Sequence, residues 1–140
     1  MDANDVARLR ATVSKLSRRL RNEGSRAGGL SAGALAVLGR VRRDGPLAAK
    51  DLARLEHLQP PSVTRIVDRL STLGLVDRTA HPTDGRACLV ALTDAGHRFS
   101  DETLDQRTAW LATRLDLLTA DELAAIEAAL PALARLAEQP

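Results

Sequence analysis

The sequence predicts a mainly α-helical fold that carries one small β-hairpin. Three observations predict it. Leucine and alanine abound while aromatics are confined to Phe99 and Trp110, a palette that favours helices over sheets. Apolar residues recur at steps of three and four along most of the chain. The stretch from Leu75 to Leu92 reads instead as two strand-length segments around a turn containing Pro, Asp and Gly. With 140 residues, 44% hydrophobic and 27% charged, the chain suits a single folded domain.

Val6, Leu9, Val13, Leu16 and Leu20 place a first helix from Asp5 to about Asn22, with an apolar seam of near-heptad spacing that calls for a partner helix. The small, Gly-rich segment Glu23 to Gly29 predicts a break. Ser31 can cap a second helix carrying Leu35, Leu38 and Val41, which Asp44-Gly45-Pro46 stops. Leu52 and Leu55 mark a short helix and Glu56 to Gln59 a turn, and Pro60-Pro61 open a helix over 60–73, proline fitting a first turn where its missing N–H is no loss. In that helix Val63, Ile66, Val67 and Leu70 form the inward stripe. Pro61, Ser62, Thr64, Arg65, Asp68 and Arg69 are left on the outer faces, and Gly74 ends the helix. Two helices joined by about four residues, the second presenting short polar groups and arginines, constitute a helix-turn-helix.

Leu75–Thr79 and Ala87–Leu92 then form the hairpin, its tip the basic His81-Pro82-Thr83-Asp84-Gly85-Arg86 segment. Thr93 can cap a long helix running from Phe99 past Leu104, Leu111 and Leu115 to Leu118, and Thr119 with Glu122 makes a capping box for a last helix that Pro131 should kink.

Charge is lopsided although the net is only +2: residues 1–43 hold ten Lys/Arg against three acids, while residues 87–140 hold four against nine. Arg8, Arg10, Arg18, Arg19 and Arg21 flank the first apolar seam, and Asp101, Glu102, Asp105 and Asp116 lie on the long helix. Ion pairs between chains and separate solvated faces are both open uses of them. Eighteen of the twenty cations are arginine, the residue suited to bidentate phosphate and guanine contacts. One cysteine, Cys88, excludes an internal disulfide framework and reads as a small residue packed in a strand, so a reducing cytoplasm is the expected setting. No apolar run approaches the roughly 18 residues of a membrane span, and the first residues lack a signal-peptide core, so neither export nor membrane insertion is expected. His57, His81 and His97 have no metal-ligand spacing, no nucleophile elbow or phosphate-binding glycine loop occurs, and neither metal, cofactor nor enzymatic activity is expected.

Five pieces occur in order: Leu52-Ala53, Ser62 to Leu70, Gly74-Leu75-Val76-Asp77-Arg78, Asp84-Gly85-Arg86 and Leu92-Thr93-Asp94-Ala95-Gly96. This combination resembles the MarR-type winged helix-turn-helix regulators over nearly the whole chain. The resemblance implies a homodimer whose end helices (1–29 and 97–140) intertwine, a DNA-binding lobe over 30–96, and a transcriptional regulator, a repressor above all, released from its operator by a small ligand of unassigned identity. It further implies double-stranded DNA as partner, with Pro61, Ser62, Thr64, Arg65 and Arg69 facing the major groove and Arg65 contacting guanine. Lys50 and Arg78 would meet phosphates. Arg86 would enter the minor groove, its guanidinium steadied by Asp84.

The chain departs from the pattern at His57, where a glycine is usual and the turn must accept a left-handed or otherwise strained backbone, at Gln59, a weaker cap than serine, and at Gly85, where a cation is common. The same outer face would also serve a winged-helix module that binds protein without reading DNA sequence. Arg65 and Arg86 are the residues that separate the two readings.

Overall fold

The computed structural model describes residues 1–138, and the side chains of all of these but 24–28. It divides into two compact units, Met1–Arg107 and a second that begins at Thr108.

The first unit opens with α1, Ala3–Gly28, capped by the Asp2 carboxylate, which accepts from the Asp5 N–H at 2.8 Å. The helix runs through the segment whose composition predicts a break. It ends only at Gly29, which takes the left-handed conformation at φ +64°. A glycine inside a helix costs about 1 kcal/mol, too little to stop one already propagating, whereas a left-handed residue redirects the chain outright. Ser31 caps α2, Ala32–Asp44, as expected, accepting from the Ala34 N–H at 3.1 Å. Gly45 closes α2 at φ +80°.

A strand follows that the sequence conceals. Leu47–Ala48, β1, pairs antiparallel with the hairpin's second strand, Leu47 opposite Val90 and Ala48 opposite Leu89. Two residues are too short to show any alternation, so the hairpin gains a third strand without a periodic signal. Next come α3, Ala49–Leu55, and α4, Pro60–Thr72, then β2, Val76–Ala80, and β3, Cys88–Leu92, in a sheet of order β1-β3-β2. Between α3 and α4 the chain turns at His57, whose φ of +52° confirms the left-handed conformation required there. Val37 and Leu38 of α2, Leu52 of α3, Val63, Val67 and Leu70 of α4, Val76 of β2 and Val90 of β3 form the dry centre. Each comes from the inward position of its element's period.

The start of α5, Asp94–Leu115, is tied to the base of the hairpin. The Thr93 hydroxyl donates to the Gly74 carbonyl at 2.6 Å and accepts from the Gly96 N–H at 3.0 Å, and the Thr93 N–H donates to the Leu75 carbonyl at 3.1 Å. Gly96 lies so close that a Cβ there would stand 2.0 Å from the Leu75 carbonyl oxygen. Three ion pairs brace α2: Arg40 reaches Glu56 at 2.6 Å and Asp44 at 3.0 Å, and Arg42 meets Asp101 of α5. The hydrogen bond to Glu56, then that to Asp44, raises the Arg40 pKa above its ordinary value. Asp101 is thus engaged within its own chain by α2.

In the second unit α5 stops at Leu115, three residues short of the expected Leu118, and Arg114 lies over the Trp110 ring at 4.3 Å. The expected capping box is present: Thr119 and Glu122 exchange hydrogen bonds at the head of α6, Ala120–Glu138. Those bonds, the Thr119 N–H first, hold the Glu122 carboxyl below its ordinary pKa. The helix is one element through Pro131. No helix among the described residues is long and apolar enough to cross a membrane.

Two substitutions test this local geometry by urea denaturation followed by circular dichroism. Gly96→Ala is expected to destabilise the protein by about 3 kcal/mol, because the methyl group collides with backbone that cannot yield. His57→Gly is expected to stabilise it by about 1 kcal/mol, since the exposed ring packs nothing and the left-handed strain disappears.

Candidate nucleic-acid interface

Helix α4 begins on two prolines, so its first turn is tied down by carbonyls alone: the Gln59 C=O accepts from the Ser62 and Val63 N–H groups at 2.9 and 3.2 Å, and the Gln59 side chain adds no cap. This matches the weaker cap expected of glutamine. Pro61, Thr64, Arg65, Asp68 and Arg69 are exposed, whereas Ser62 is half-buried, one step closer to the core than its expected outer position. The Thr64 hydroxyl donates to the Pro60 carbonyl at 3.2 Å, which leaves its lone pairs outward, and the Arg65 Nε–H points back toward the Pro61 carbonyl at 3.5 Å.

Beside α4 lies a cleft of about 430 Å³, bounded on its far side by the hairpin tip. Lys50 from the first turn of α3, Thr64 from α4, Arg78 from β2, and Asp84, Arg86 and Cys88 from the tip and β3 line it together. Five residues expected to touch DNA therefore share one concave wall. Pro61, Ser62, Arg65 and Arg69 lie along α4 outside that wall. Lys50, Arg69 and Arg86 make no ion pair among the described residues, so their charge faces solvent.

Three details differ from the sequence reading. Asp84 engages the Arg86 backbone N–H, at 3.0 Å, and not its guanidinium, so the carboxylate shapes the loop. Cys88 is exposed in the cleft and not packed. Strand parity puts it on the side of the buried Val90, but β3 has already run past the core there. Asp68, on the outer face of α4, forms an ion pair with Arg78 of β2, tying the helix to the hairpin. No short-range sequence signal reveals that pair, because ten residues and a chain reversal separate its members.

A second, more enclosed space of about 270 Å³ lies between α2 and α5, lined by Leu35, Leu38, Arg42, Phe99, Ser100 and Arg107 among others. Ser100 Oγ and Arg107 Nε are buried there with no hydrogen-bond partner among the described residues. Burial, and then the charge of Arg21, pulls the Arg107 pKa below its ordinary value.

The MarR family model matches residues 30–88, the span from α2 to the first residue of β3. An HTH-type transcriptional regulator of Mycobacterium bovis is 35% identical over 121 residues, covering 86% of this chain and 84% of that protein. The HTH-type transcriptional repressor MdtR of Bacillus subtilis is 33% identical over 95 residues, 68% of this chain and 61% of that protein. Among solved structures, wild-type MarR of E. coli in its apo form superposes with a TM-score of 0.79 at 30% identity, over 91% of this chain and 94% of that one. A helix-turn-helix, a hairpin wing and a cation-lined cleft between them therefore coincide with matching sequence: the chain belongs to the MarR family and is a DNA-binding transcriptional regulator, not an enzyme.

Proposed function

We propose that the protein is a homodimeric repressor that reads a pseudo-palindromic operator. The observation that carries this reading is the cleft that gathers Lys50, Thr64, Arg78 and Arg86 between the exposed face of α4 and the wing. With α4 in the major groove, Pro61, Ser62, Thr64, Arg65 and Arg69 face base edges and phosphates, and Arg65 is the bidentate partner of a guanine. Lys50 and Arg78 meet phosphates. Arg86 enters the neighbouring minor groove from a loop that Asp84 shapes.

A second copy of the chain is the proposed cover for two apolar faces. On α1, Val6, Val13 and Leu16 are 53%, 50% and 42% exposed, and α6 exposes Leu130 and Leu136 at 55% and 57%. Burying such side chains contributes about 2 kcal/mol each, far more than exposed ion pairs would. A dimer places two recognition helices about 34–36 Å apart, one helical turn of DNA. The name of MdtR supports repression. Release by a small ligand is supported by the enclosed space between α2 and α5, where Ser100 Oγ and Arg107 Nε lack partners.

Selection of genomic fragments, followed by anisotropy titration of the best duplex and a scrambled one, tests the reading. Arg65→Ala is expected to weaken the selected duplex by about 2 kcal/mol while leaving the dimer intact in sedimentation. Arg86→Ala is expected to lower the salt slope by about one unit. Equal, weak binding of both duplexes by all three proteins would instead favour a protein-binding module. Asp68→Asn removes an anion from the DNA-facing surface and is expected to tighten the scrambled duplex about three-fold. Because its pair with Arg78 is exposed, the melting free energy should move by less than about 1 kcal/mol.

A further inference from the structure

The wing tip is organised around one imidazole. His81 Nδ1 accepts from the Thr83 N–H at 3.2 Å and the Asp84 N–H at 3.1 Å, with the Thr83 hydroxyl at 3.4 Å. From Asp84 the bonding continues: its carboxylate accepts from the Arg86 N–H at 3.0 Å, and its carbonyl accepts from the Ala87 N–H at 3.1 Å. The His81 N–H closes the loop on the Ala87 carbonyl at 3.1 Å. Asp84 thus links the ring to the rest of the tip: its N–H is held by the ring nitrogen, and its own oxygens hold the Arg86 and Ala87 N–H groups. A side-chain acceptor at position i that takes N–H groups from i+2 and i+3 is the work asparagine, aspartate or serine does in turns. Histidine does it only while Nδ1 carries no proton.

We propose that His81 is the positioning residue of the wing: with Nδ1 free of a proton, its ring holds the loop that presents Arg86 to DNA, and a proton placed on Nδ1 dismantles that loop. This rests on the DNA-reading role of Arg86 proposed above and adds to it a control on that role. Once Nδ1 is protonated it is a donor facing two donors, and both amides lose their acceptor together. Of the ionisable groups on the wing, Asp84 and Arg86 share the loop with the ring, Asp77 and Arg78 stand on β2, and Cys88 opens β3 opposite Ala80 of β2. Lys50 of α3 and Asp68 of α4 border the same cleft or its ion pair. Of the loop's groups only Asp84 could offset a charged ring, and one of its carboxylate oxygens already accepts from the Arg86 N–H.

The direction of the effect separates this from simple electrostatics. One more positive charge at the wing tip should tighten binding to any duplex. Loss of the loop should instead lower discrimination between the selected and the scrambled duplex. In the free protein, acidified stepwise from about pH 8 to about pH 5.5, the Thr83, Asp84 and Arg86 amide resonances are expected to move in step with the His81 ring resonances. In H81N, which keeps an acceptor but cannot titrate, they should stay still. Amides that do not follow the ring in the native sequence overturn the proposal.

With DNA, the ratio of selected to scrambled affinity is expected to fall about ten-fold over that range in the native sequence and to hold steady in H81N. In R86A it should be low throughout and insensitive to pH. An equal fall in H81N, or acid-induced tightening to both duplexes, overturns the proposal. A native protein that never discriminates, even at about pH 8, overturns the regulator reading and the DNA half of this one, while the amide titration still decides the loop.

Discussion

Much of this structure depends on the backbone of a single residue, Leu75. Its N–H donates to the Leu70 carbonyl and ends the recognition helix; its carbonyl accepts from the Thr93 N–H and presses against Gly96. Recognition helix, wing and long helix thus meet at one group that a methyl could not approach. The angle between α4 and β2, and with it the width of the cation-lined cleft, is set by a contact with no side-chain freedom. Placing the joint in backbone makes it stiff: side-chain rotamers relax at small cost, whereas neither peptide plane beside the Leu75 Cα can be turned without losing a hydrogen bond.

Acidic residues on the DNA-facing side follow the same logic of order before attraction. Asp68 and Asp84 would each repel phosphate, yet one ties β2 to α4 and the other holds the loop that carries Arg86. An arginine on a loose hairpin pays conformational entropy when it enters a groove, and a carboxylate that prevents this offsets its own repulsion. Away from the cleft, Arg40 with Glu56 and Asp44, and Arg42 with Asp101, fasten α2 to the turn before α4 and to α5. The arginine-rich composition thus divides between cations that brace the lobe and cations left facing solvent.

The helices were legible because their periodicity is long and their punctuation conventional: Ser31, Thr93 and Thr119 cap where they stand, and Gly29, Gly45 and Gly74 turn left-handed. Legibility failed where structure depends on distant partners. Leu47–Ala48 is a strand only because β3 offers it an edge. The stretch after Glu23 stays helical because a run of small residues is a poorer stop than one positive φ. At the candidate interface, residue types and their approximate face could be read from α4, and the strain at His57 followed from the missing glycine. The partners of Asp68 and Asp84, and the acceptor role of His81, could not, since each depends on how a loop returns upon itself.

Trp110 has a practical consequence of a different kind. The chain has one tryptophan, one phenylalanine and no tyrosine. The indole lies on α5 beyond Arg107, outside the unit that contains the helix-turn-helix, with Arg114 stacked on it and its Nε1 buried without a partner. Its ultraviolet emission therefore reports on the second half of α5 and on the guanidinium that polarises the ring. The unit that contains the helix-turn-helix holds neither tryptophan nor tyrosine, so an unfolding curve recorded by fluorescence and one recorded by far-ultraviolet dichroism follow different parts of the molecule. Where the two diverge, the difference measures how far the long helix transmits cooperativity from one unit to the other.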